Sequence, residues 1–146
     1  MKKIKKIFLV RHAEYDGSDL NPSLSRHGHD QSIKLGQKIS GNLVLPGAVT
    51  IWTSSANRAR ETASLIKQEL QLAEMRVEEK LWSDNRHRHD FPWLENELNS
   101  FEGDNLIIVS HLEYVRDFPH WVGFNSNGAG YAEGVMIENG NCTLFG

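Results

Sequence analysis

The sequence lacks the features that mark a membrane or a secreted protein. No apolar run approaches the ~20 residues that a membrane-spanning helix needs. The apolar run nearest the N-terminus, residues 7–10, is too short for the core of a signal peptide and is followed at once by charge. Cys142 is the only cysteine, which excludes an internal disulfide, and we interpret it as a structural residue. We therefore expect a cytoplasmic protein with no membrane partner.

The chain also lacks the positive charge of a general nucleic-acid-binding protein. Its net charge is −3, from 16 Lys and Arg against 19 Asp and Glu, whereas such proteins usually carry a strong basic excess. The one basic cluster, Lys2 to Lys6, leads into an apolar run and is interpreted as lysines that flank a strand. Because no repeat and no Pro/Gly-rich linker divides the chain, we expect a single domain over residues 1–146 and no nucleic-acid partner.

What the sequence does contain is an alternation of strand-like and helix-like segments. Apolar runs predict strands over residues 4–10, 48–52 and 105–110, and a half-exposed strand over 75–81. Helices are predicted over 26–40, 57–72, 92–101 and 112–122. A polar loop is predicted over 125–130, and Asn139-Gly140 predicts a hairpin between 131–137 and 142–145. This order predicts an α/β fold: a three-layer sandwich with a mostly parallel central sheet flanked by helices and a C-terminal antiparallel hairpin.

Three predicted strands end in residues that suit a phosphoryl group. Arg11-His12 follows the first strand, the loop from Thr53 to Arg58 follows the second, and Ser110-His111 follows the fourth. In open α/β folds, ligands bind at the edge where the carboxyl ends of parallel strands meet. Histidines, arginines and hydroxyls at that edge would make a cationic site rich in hydrogen-bond donors. The loop from Thr53 also opens a helix, whose N-terminal amides favour an anion.

These residues resemble the histidine phosphatase superfamily, also called the phosphoglycerate-mutase-like group. Four short motifs occur in the order that the family shows. They are Arg11-His12-Ala13; Leu24-Ser25 with Gly28 and Gln31; Ser54 with Arg58-Ala59 and Thr62-Ala63; and Ser110-His111. Because the chain is short, it is similar to the small, cap-poor branch that includes the SixA-type phosphohistidine phosphatases.

The resemblance implies a covalent mechanism that needs no metal and no cofactor. In this mechanism His12 attacks phosphorus and forms a phosphohistidine, which water then hydrolyses. Arg11, Arg58 and His111 would hold the phosphoryl oxygens and stabilise the transition state. The Arg-Ala-x-x-Thr-Ala spacing selects Arg58 over Arg60. The remaining candidates for contact with the substrate are Glu14, Asn21, Glu79 and Ser54, the last of which equally suits a helix cap.

The proton donor is the least defined part of the predicted site. Many members of the family carry a glutamate shortly after a leucine that follows the third strand, whereas here Leu81-Trp82 precedes Ser83-Asp84. Asp84 is the best candidate for the general acid, followed by Glu79 and then Glu113. A phosphoramidate such as phosphohistidine has a better leaving group than an ester, so the missing glutamate favours that substrate class.

Three functions follow from these residues. The first is a phosphomonoesterase that acts on phosphohistidine-bearing proteins, the second is a phosphatase of a small phosphorylated metabolite, and the third is a non-catalytic phosphate-binding protein. His27-x-His29 and His87-x-His89-Asp90 have spacings seen in metal ligands. The first pair lies at a helix start and the second in an arginine-rich loop, so we expect no metal site. Arg86 to His89 form either a positive rim that attracts an anionic substrate or a solvated loop.

Overall fold

The computed structural model describes residues 1–125 and 129–146, and the strands in this part of the chain form one six-stranded sheet. The strands are β1 (Ile4–Arg11), β2 (Val49–Ser54), β3 (Arg76–Glu78), β4 (Gly103–Ser110), β5 (Gly134–Glu138) and β6 (Asn141–Phe145). The helices are α1 (Arg26–Ser40), α2 (Asn57–Glu69), α3 (Phe91–Ser100) and α4 (Leu112–Trp121), with a short 3-10 helix over Glu79–Leu81.

The order of the strands across the sheet is β3-β2-β4-β1-β5-β6. The pairs β2–β3, β2–β4 and β1–β4 are parallel, whereas β1–β5 and β5–β6 are antiparallel. This arrangement confirms the predicted α/β fold with a mostly parallel sheet and a C-terminal antiparallel hairpin. Since β1 and β4 are adjacent at the centre of the sheet, the residues that follow them share one edge.

Both faces of the sheet are covered, which explains why the central strands are apolar at consecutive positions. Side chains alternate between the faces of a strand, and in β1 Ile7 and Leu9 join the core beneath α3 and α4. Phe8 and Val10 join the core beneath α1 and α2 on the opposite face. All four are at most 2% exposed. The central strand is thus fixed from both sides, and its end is a rigid support for functional residues.

Helix α1 has the predicted boundaries and a capped start. Ser25 is its N-cap and accepts a hydrogen bond from the N–H of Gly28 at 3.0 Å. Gly28 packs directly on the loop that follows β1, where a Cβ would overlap the carbonyl oxygen of Glu14. A glycine is therefore required for α1 to approach this loop.

The boundaries that differ from prediction have local causes. The predicted strand 75–81 is confined to β3, because the next residues turn into the 3-10 helix and bury Leu81 in the core. Helix α2 stops before Gln71, whose φ of +54° is not helical. Strand β5 starts later than residue 131, because Ala132 has a φ of +57° that interrupts an extended chain.

The loop predicted over residues 125–130 lies partly outside the described residues. Within residues 1–125 and 129–146, every helix is too short or too polar to cross a membrane.

Candidate active site

The ends of β1 and β4 bring two histidines side by side. Arg11 is level with Ser110 in this parallel pair, and the N–H of His12 donates to the carbonyl of Ser110 at 3.0 Å. The rings of His12 and His111 have centroids 5.1 Å apart, and the two residues are 3% and 2% exposed. The register of one strand pair therefore places both imidazoles in a buried position at the sheet edge.

His12 is held as a neutral imidazole with a defined tautomer. Its Nδ1 lies 2.8 Å from the carbonyl oxygen of Ala13, and a carbonyl only accepts, so Nδ1 carries the proton. Nε2 is left unprotonated and accepts from Nε of Arg58 at 3.3 Å. Burial lowers the pKa of His12 to about 3; the Ala13 bond opposes this, while the charges of Arg58 and Arg11 add to it. The Nε2 lone pair is therefore available at neutral pH.

His111 is also neutral and is bonded through both nitrogens. Nη2 of Arg58 donates to its Nδ1 at 3.3 Å, so its Nε2 carries the proton and donates to Oγ of Ser54 at 2.8 Å. Burial lowers the pKa of His111 to about 2, with further contributions from His12 and Arg58. Ser54 Oγ also accepts from the N–H of Ala56 at 3.1 Å. Ser54 therefore supports both His111 and the turn into α2.

Arg58 lies between the two imidazoles and donates to both of them. Its burial lowers the pKa of the guanidinium, opposed by Tyr15, Asp84 and Glu113, and an arginine remains charged under these conditions. Arg60, two residues later on α2, is exposed. The structure thus brings Arg58 to the histidines and leaves Arg60 outside, as the motif spacing predicted.

One hydroxyl ties the arginine to the nucleophile loop. Oγ1 of Thr62 donates to the carbonyl of Arg58 at 2.8 Å and accepts from the N–H of Ala13 at 3.0 Å. Thr62 is fully buried. It links the first turns of α2 to the residue after His12, so it fixes the relative position of the two parts of the site.

Arg11 borders the site from the other side. Its guanidinium stacks on Tyr131, with Cζ 4.3 Å from the ring centroid, and its Nη1 donates to the carbonyl of Ala129 at 3.2 Å. Its Nε is buried and has no hydrogen-bond partner among the described residues. A buried donor without a partner is costly, so this atom is available to an oxygen of a bound anion.

Asp84 lies beside Arg58 but is held as a carboxylate. Its oxygens accept from the N–H groups of Arg86 and His87 at 2.8 Å, from Nδ1 of His87 at 2.9 Å and from the indole of Trp82 at 2.8 Å; Oδ2 is also 3.8 Å from Nη2 of Arg58. Partial desolvation raises the pKa of Asp84, but the hydrogen bonds from these donors lower it well below its ordinary value. An ionised group has no proton to give, so the structure argues against Asp84 as the general acid.

Of the three further residues predicted to contact the substrate, two have local partners and one is exposed. The carboxylate of Glu14 accepts from the hydroxyl of Ser25, the cap of α1, at 2.9 Å. The side-chain oxygen of Asn21 accepts from the N–H of Asn57, the first residue of α2, at 2.8 Å. Glu79 is exposed on the 3-10 helix. Within the described part of the chain, none of the three bonds to either imidazole. We therefore assign them to positioning and surface roles.

Two tyrosine rings that were not predicted from the sequence lie beside His12 and Arg58. The ring of Tyr15 lies 5.5 Å from the imidazole of His12 and 5.2 Å from Cζ of Arg58. Tyr131 lies 5.8 Å from His12 and 6.0 Å from Tyr15. Both tyrosines come from loops and follow no spacing rule, so the sequence carries no signal for them beyond residue type.

A second aromatic group lies beside His111. Trp82 stacks on His87 with centroids 3.9 Å apart and is nearly parallel to His111 at 6.5 Å. His87 is thereby engaged by Trp82 and Asp84, whereas His89 stacks on Phe91 at 4.1 Å. The two histidines whose spacing is seen in metal ligands therefore contact different residues.

Metal ligation finds no support in the described residues. Among residues 1–125 and 129–146, no group of three or more His, Cys, Asp or Glu side chains is arranged to hold a metal ion. His27 and His29 are both exposed.

Two cavities differ in their relation to this site. The larger, about 630 Å³, lies at the start of β1 and the end of β5, which is the opposite end of the sheet. A smaller one, about 290 Å³, is lined by residues 83–89 and Glu113 and includes Asp84, the neighbour of Arg58. The first cavity is larger, but the second is the one that lies next to Arg58.

Comparisons with known proteins agree with the motifs. Residues 7–83, more than half of the chain, match the model of the histidine phosphatase superfamily (branch 1). A search of curated proteins gives no match. Similar solved structures include the protein histidine phosphatase SixA complexed with tungstate, with 18% identity, a TM-score of 0.68 and coverage of 95% of this chain and 93% of that one.

Two further structures share the fold. A mutant phosphoserine phosphatase from Entamoeba histolytica in complex with phosphoserine has 16% identity, a TM-score of 0.62 and coverage of 96% of this chain and 94% of that one. Phosphoglycerate mutase from Plasmodium falciparum has 18% identity, a TM-score of 0.62 and coverage of 97% and 89%. At such identities the likeness concerns the fold, while the sequence match spans Arg11, His12 and Arg58. The chain belongs to the histidine phosphatase superfamily.

Proposed function

We propose that this protein is a phosphomonoesterase that works through a covalent phosphohistidine at His12. The observation that carries the proposal is the tautomer of His12, whose Nδ1–H donates to Ala13 while Nε2 faces Arg58 with its lone pair free of a proton. A neutral imidazole nitrogen beside a fixed guanidinium suits attack on phosphorus. Membership of the superfamily supports a hydrolase.

The positive charge of the site comes from two guanidinium groups. When a phosphoryl group binds, its oxygens accept from Arg58 and from Nε of Arg11, which has no hydrogen-bond partner among the described residues. Nε2 of His12 bonds to phosphorus, the leaving group departs, and water then cleaves the phosphohistidine. His111 is neutral and accepts from Arg58, so we assign it the positioning of that guanidinium.

The test is the turnover of p-nitrophenyl phosphate by the wild type, His12→Ala and the control His29→Ala, in which an exposed histidine is removed. We expect the His12 variant to lose at least about 1,000-fold in kcat/KM, as nucleophile removal does in comparable enzymes, and the control to stay near the wild type. Trapped phosphoenzyme should be labile in acid and stable in alkali. Equal rates for all three proteins, or an intermediate with the opposite stability, would contradict the proposal.

The substrate class follows from the leaving group. We propose phosphohistidine-bearing proteins first, because the position where the family carries a glutamate is occupied here by Ser83-Asp84 and Asp84 is ionised. The SixA structure is that of a protein histidine phosphatase, and the Entamoeba histolytica enzyme is complexed with phosphoserine, which supports a phosphorylated substrate. A small phosphorylated metabolite is the alternative. Parallel assays with phosphohistidine peptides and a panel of phosphometabolites separate the two by kcat/KM.

A non-catalytic phosphate-binding protein is the remaining possibility from the sequence. The same assays test it, because such a protein would bind inorganic phosphate in calorimetry and show no turnover with any member of the panel. The buried, neutral imidazole of His12 favours the enzyme, since simple anion binding would favour a protonated histidine.

A further inference from the structure

The cavity of about 290 Å³ beside Arg58 has one carboxylate that the mechanism leaves unused. It is lined by residues 83–89 and by Glu113, which lies in the first turn of α4, two residues after His111. One residue of its lining, Asp84, is 3.8 Å from Nη2 of Arg58, so the cavity lies next to the arginine of the site. A leaving group that departs from phosphorus on this side would enter a space lined by polar residues.

Glu113 is partly buried and is oriented by a buried hydroxyl. Oγ of Ser83 donates to Oε1 of Glu113 at 2.9 Å, and Ser83 is 2% exposed. Glu113 lines the cavity, and its Oε2 has no hydrogen-bond partner among the described residues. Its charge also reaches Arg58, where it opposes the effect of burial.

The second carboxylate of the cavity has the opposite arrangement. Asp84 accepts four hydrogen bonds at 2.8–2.9 Å from Trp82, Arg86 and His87, and these donors favour the ionised form. Glu113 accepts from a single neutral hydroxyl among the described residues. Two carboxylates in different surroundings are suited to different tasks: the one held by four donors to pairing with a cation, and the one held by a single hydroxyl to proton transfer.

We propose that Glu113 is the proton donor to the leaving group, which departs into this cavity. The inference rests on the proposed function at His12. In the first step, Nε2 of His12 bonds to phosphorus and the bond from phosphorus to the leaving atom breaks. That atom, nitrogen in a phosphohistidine and oxygen in an ester, takes the bond's electron pair and the proton of Glu113. In the second step, the oxygen of water bonds to phosphorus and gives a proton to the Glu113 carboxylate. The bond from phosphorus to Nε2 of His12 breaks, its electron pair returns to the imidazole, phosphate leaves, and the neutral acid is restored. Ser83 positions the carboxyl group.

The experiment compares Glu113→Gln with a matched control, Glu74→Gln, at an exposed position before β3. Two substrates of similar shape are used, phenyl phosphate and 2,4-dinitrophenyl phosphate, because phenolate needs a proton to leave and dinitrophenolate does not. We expect Glu113→Gln to lower kcat/KM for phenyl phosphate by about 100-fold, the lower range for a positioned acid, and to change that for 2,4-dinitrophenyl phosphate less than about threefold. The control should match the wild type with both substrates.

The outcomes separate this inference from the function on which it rests. If the wild type does not turn over 2,4-dinitrophenyl phosphate, the function proposed at His12 fails. If the wild type turns it over and Glu113→Gln lowers kcat/KM equally for both substrates, or for neither, the inference about Glu113 is overturned while the function stands. The same conclusion follows if the leaving-group dependence appears in Asp84→Asn instead. Retained activity of Glu113→Gln with the dinitrophenyl ester also shows that the variant is folded.

Discussion

The two buried histidines should make the stability of the free protein depend steeply on pH below neutrality. Their folded-state pKa values are lowered to about 3 and about 2, mainly by burial, whereas an unfolded histidine titrates near 6.5. Between these values the unfolded chain binds two protons that the folded chain does not. Stability rises with pH wherever the unfolded state binds more protons. The stability that depends on the two neutral histidines is therefore fully present above about pH 7, and it is lost as the pH falls below 6.5.

The expected size follows from the linkage relation. For each histidine, every full pH unit below the unfolded pKa lowers the free energy of unfolding by about 1.4 kcal/mol. Because titration of the unfolded chain begins gradually, moving from about pH 7.5 to about pH 5 should cost about 2 kcal/mol for each, or about 4 kcal/mol for the pair. This is a large part of the ~5–15 kcal/mol by which a domain is stable.

The perturbation is His12→Asn, because the asparagine amide retains a donor near the position of Nδ1 and cannot titrate. Urea unfolding followed by the fluorescence of the four tryptophans gives the free energy of unfolding at each pH. The quantity of interest is the loss of this free energy between about pH 7.5 and about pH 5, which should be about 2 kcal/mol smaller in His12→Asn than in the wild type. His29→Asn, at an exposed position, is the control and should behave like the wild type.

The reasoning is refuted if His12→Asn loses as much stability on acidification as the wild type. That result would mean that His12 titrates in the folded protein near its ordinary pKa, and hence that its imidazole is not held neutral. The absolute stability of the variant does not enter the test, because only the difference between the two pH values is compared.

Three substitutions test other parts of the site. Arg58→Lys should lower kcat/KM by about 100-fold, because a single ammonium cannot donate in the fork geometry that serves both imidazoles; Arg60→Lys should leave it unchanged, and similar losses would contradict the assignment. Gly28→Ala should cost about 1–3 kcal/mol in urea unfolding because its Cβ meets backbone, whereas Gly41→Ala, with its nearest contact at 3.7 Å, should stay within about 0.5 kcal/mol. Thr62→Val should cost about 1–3 kcal/mol by leaving the buried N–H of Ala13 unpaired and should lower kcat; an unchanged kcat would argue against the link.

The fold was predictable from sequence because its determinants are local and periodic. The run from Ile7 to Val10 is apolar at every position, as a strand covered on both faces requires. Arg11, His12 and His111 lie at the ends of β1 and β4 or directly after them. Because these two strands are adjacent and parallel, their order in the sheet is enough to bring the three residues together. Arg58 could be distinguished from Arg60 by its motif spacing alone.

The state of each carboxylate was not predictable in the same way. Asp84 follows the third strand at nearly the expected place, so residue type and position favoured it as the acid. Its protonation is decided by the number of donors that the loop 84–87 folds around it, and these are backbone N–H groups, an indole and an imidazole from the same loop. Glu14 and Asn21 illustrate the same limit, since polar residues next to a site bind whichever helix end lies closest.

The neutral state of both imidazoles has a consequence for binding. With His12 and His111 uncharged, the positive charge facing a phosphoryl group is that of the guanidinium groups of Arg58 and Arg11, and a guanidinium is always charged in proteins. The pH dependence of binding should then follow the second ionisation of the ligand, whose pKa is about 6 for a phosphate monoester and higher for inorganic phosphate. The dianion should bind more tightly than the monoanion, and affinity for inorganic phosphate should fall on acidification rather than rise. A site built on protonated histidines would gain charge over the same range and would show the opposite slope. The sign of that slope therefore reports whether charge in this site resides on guanidinium or on imidazole.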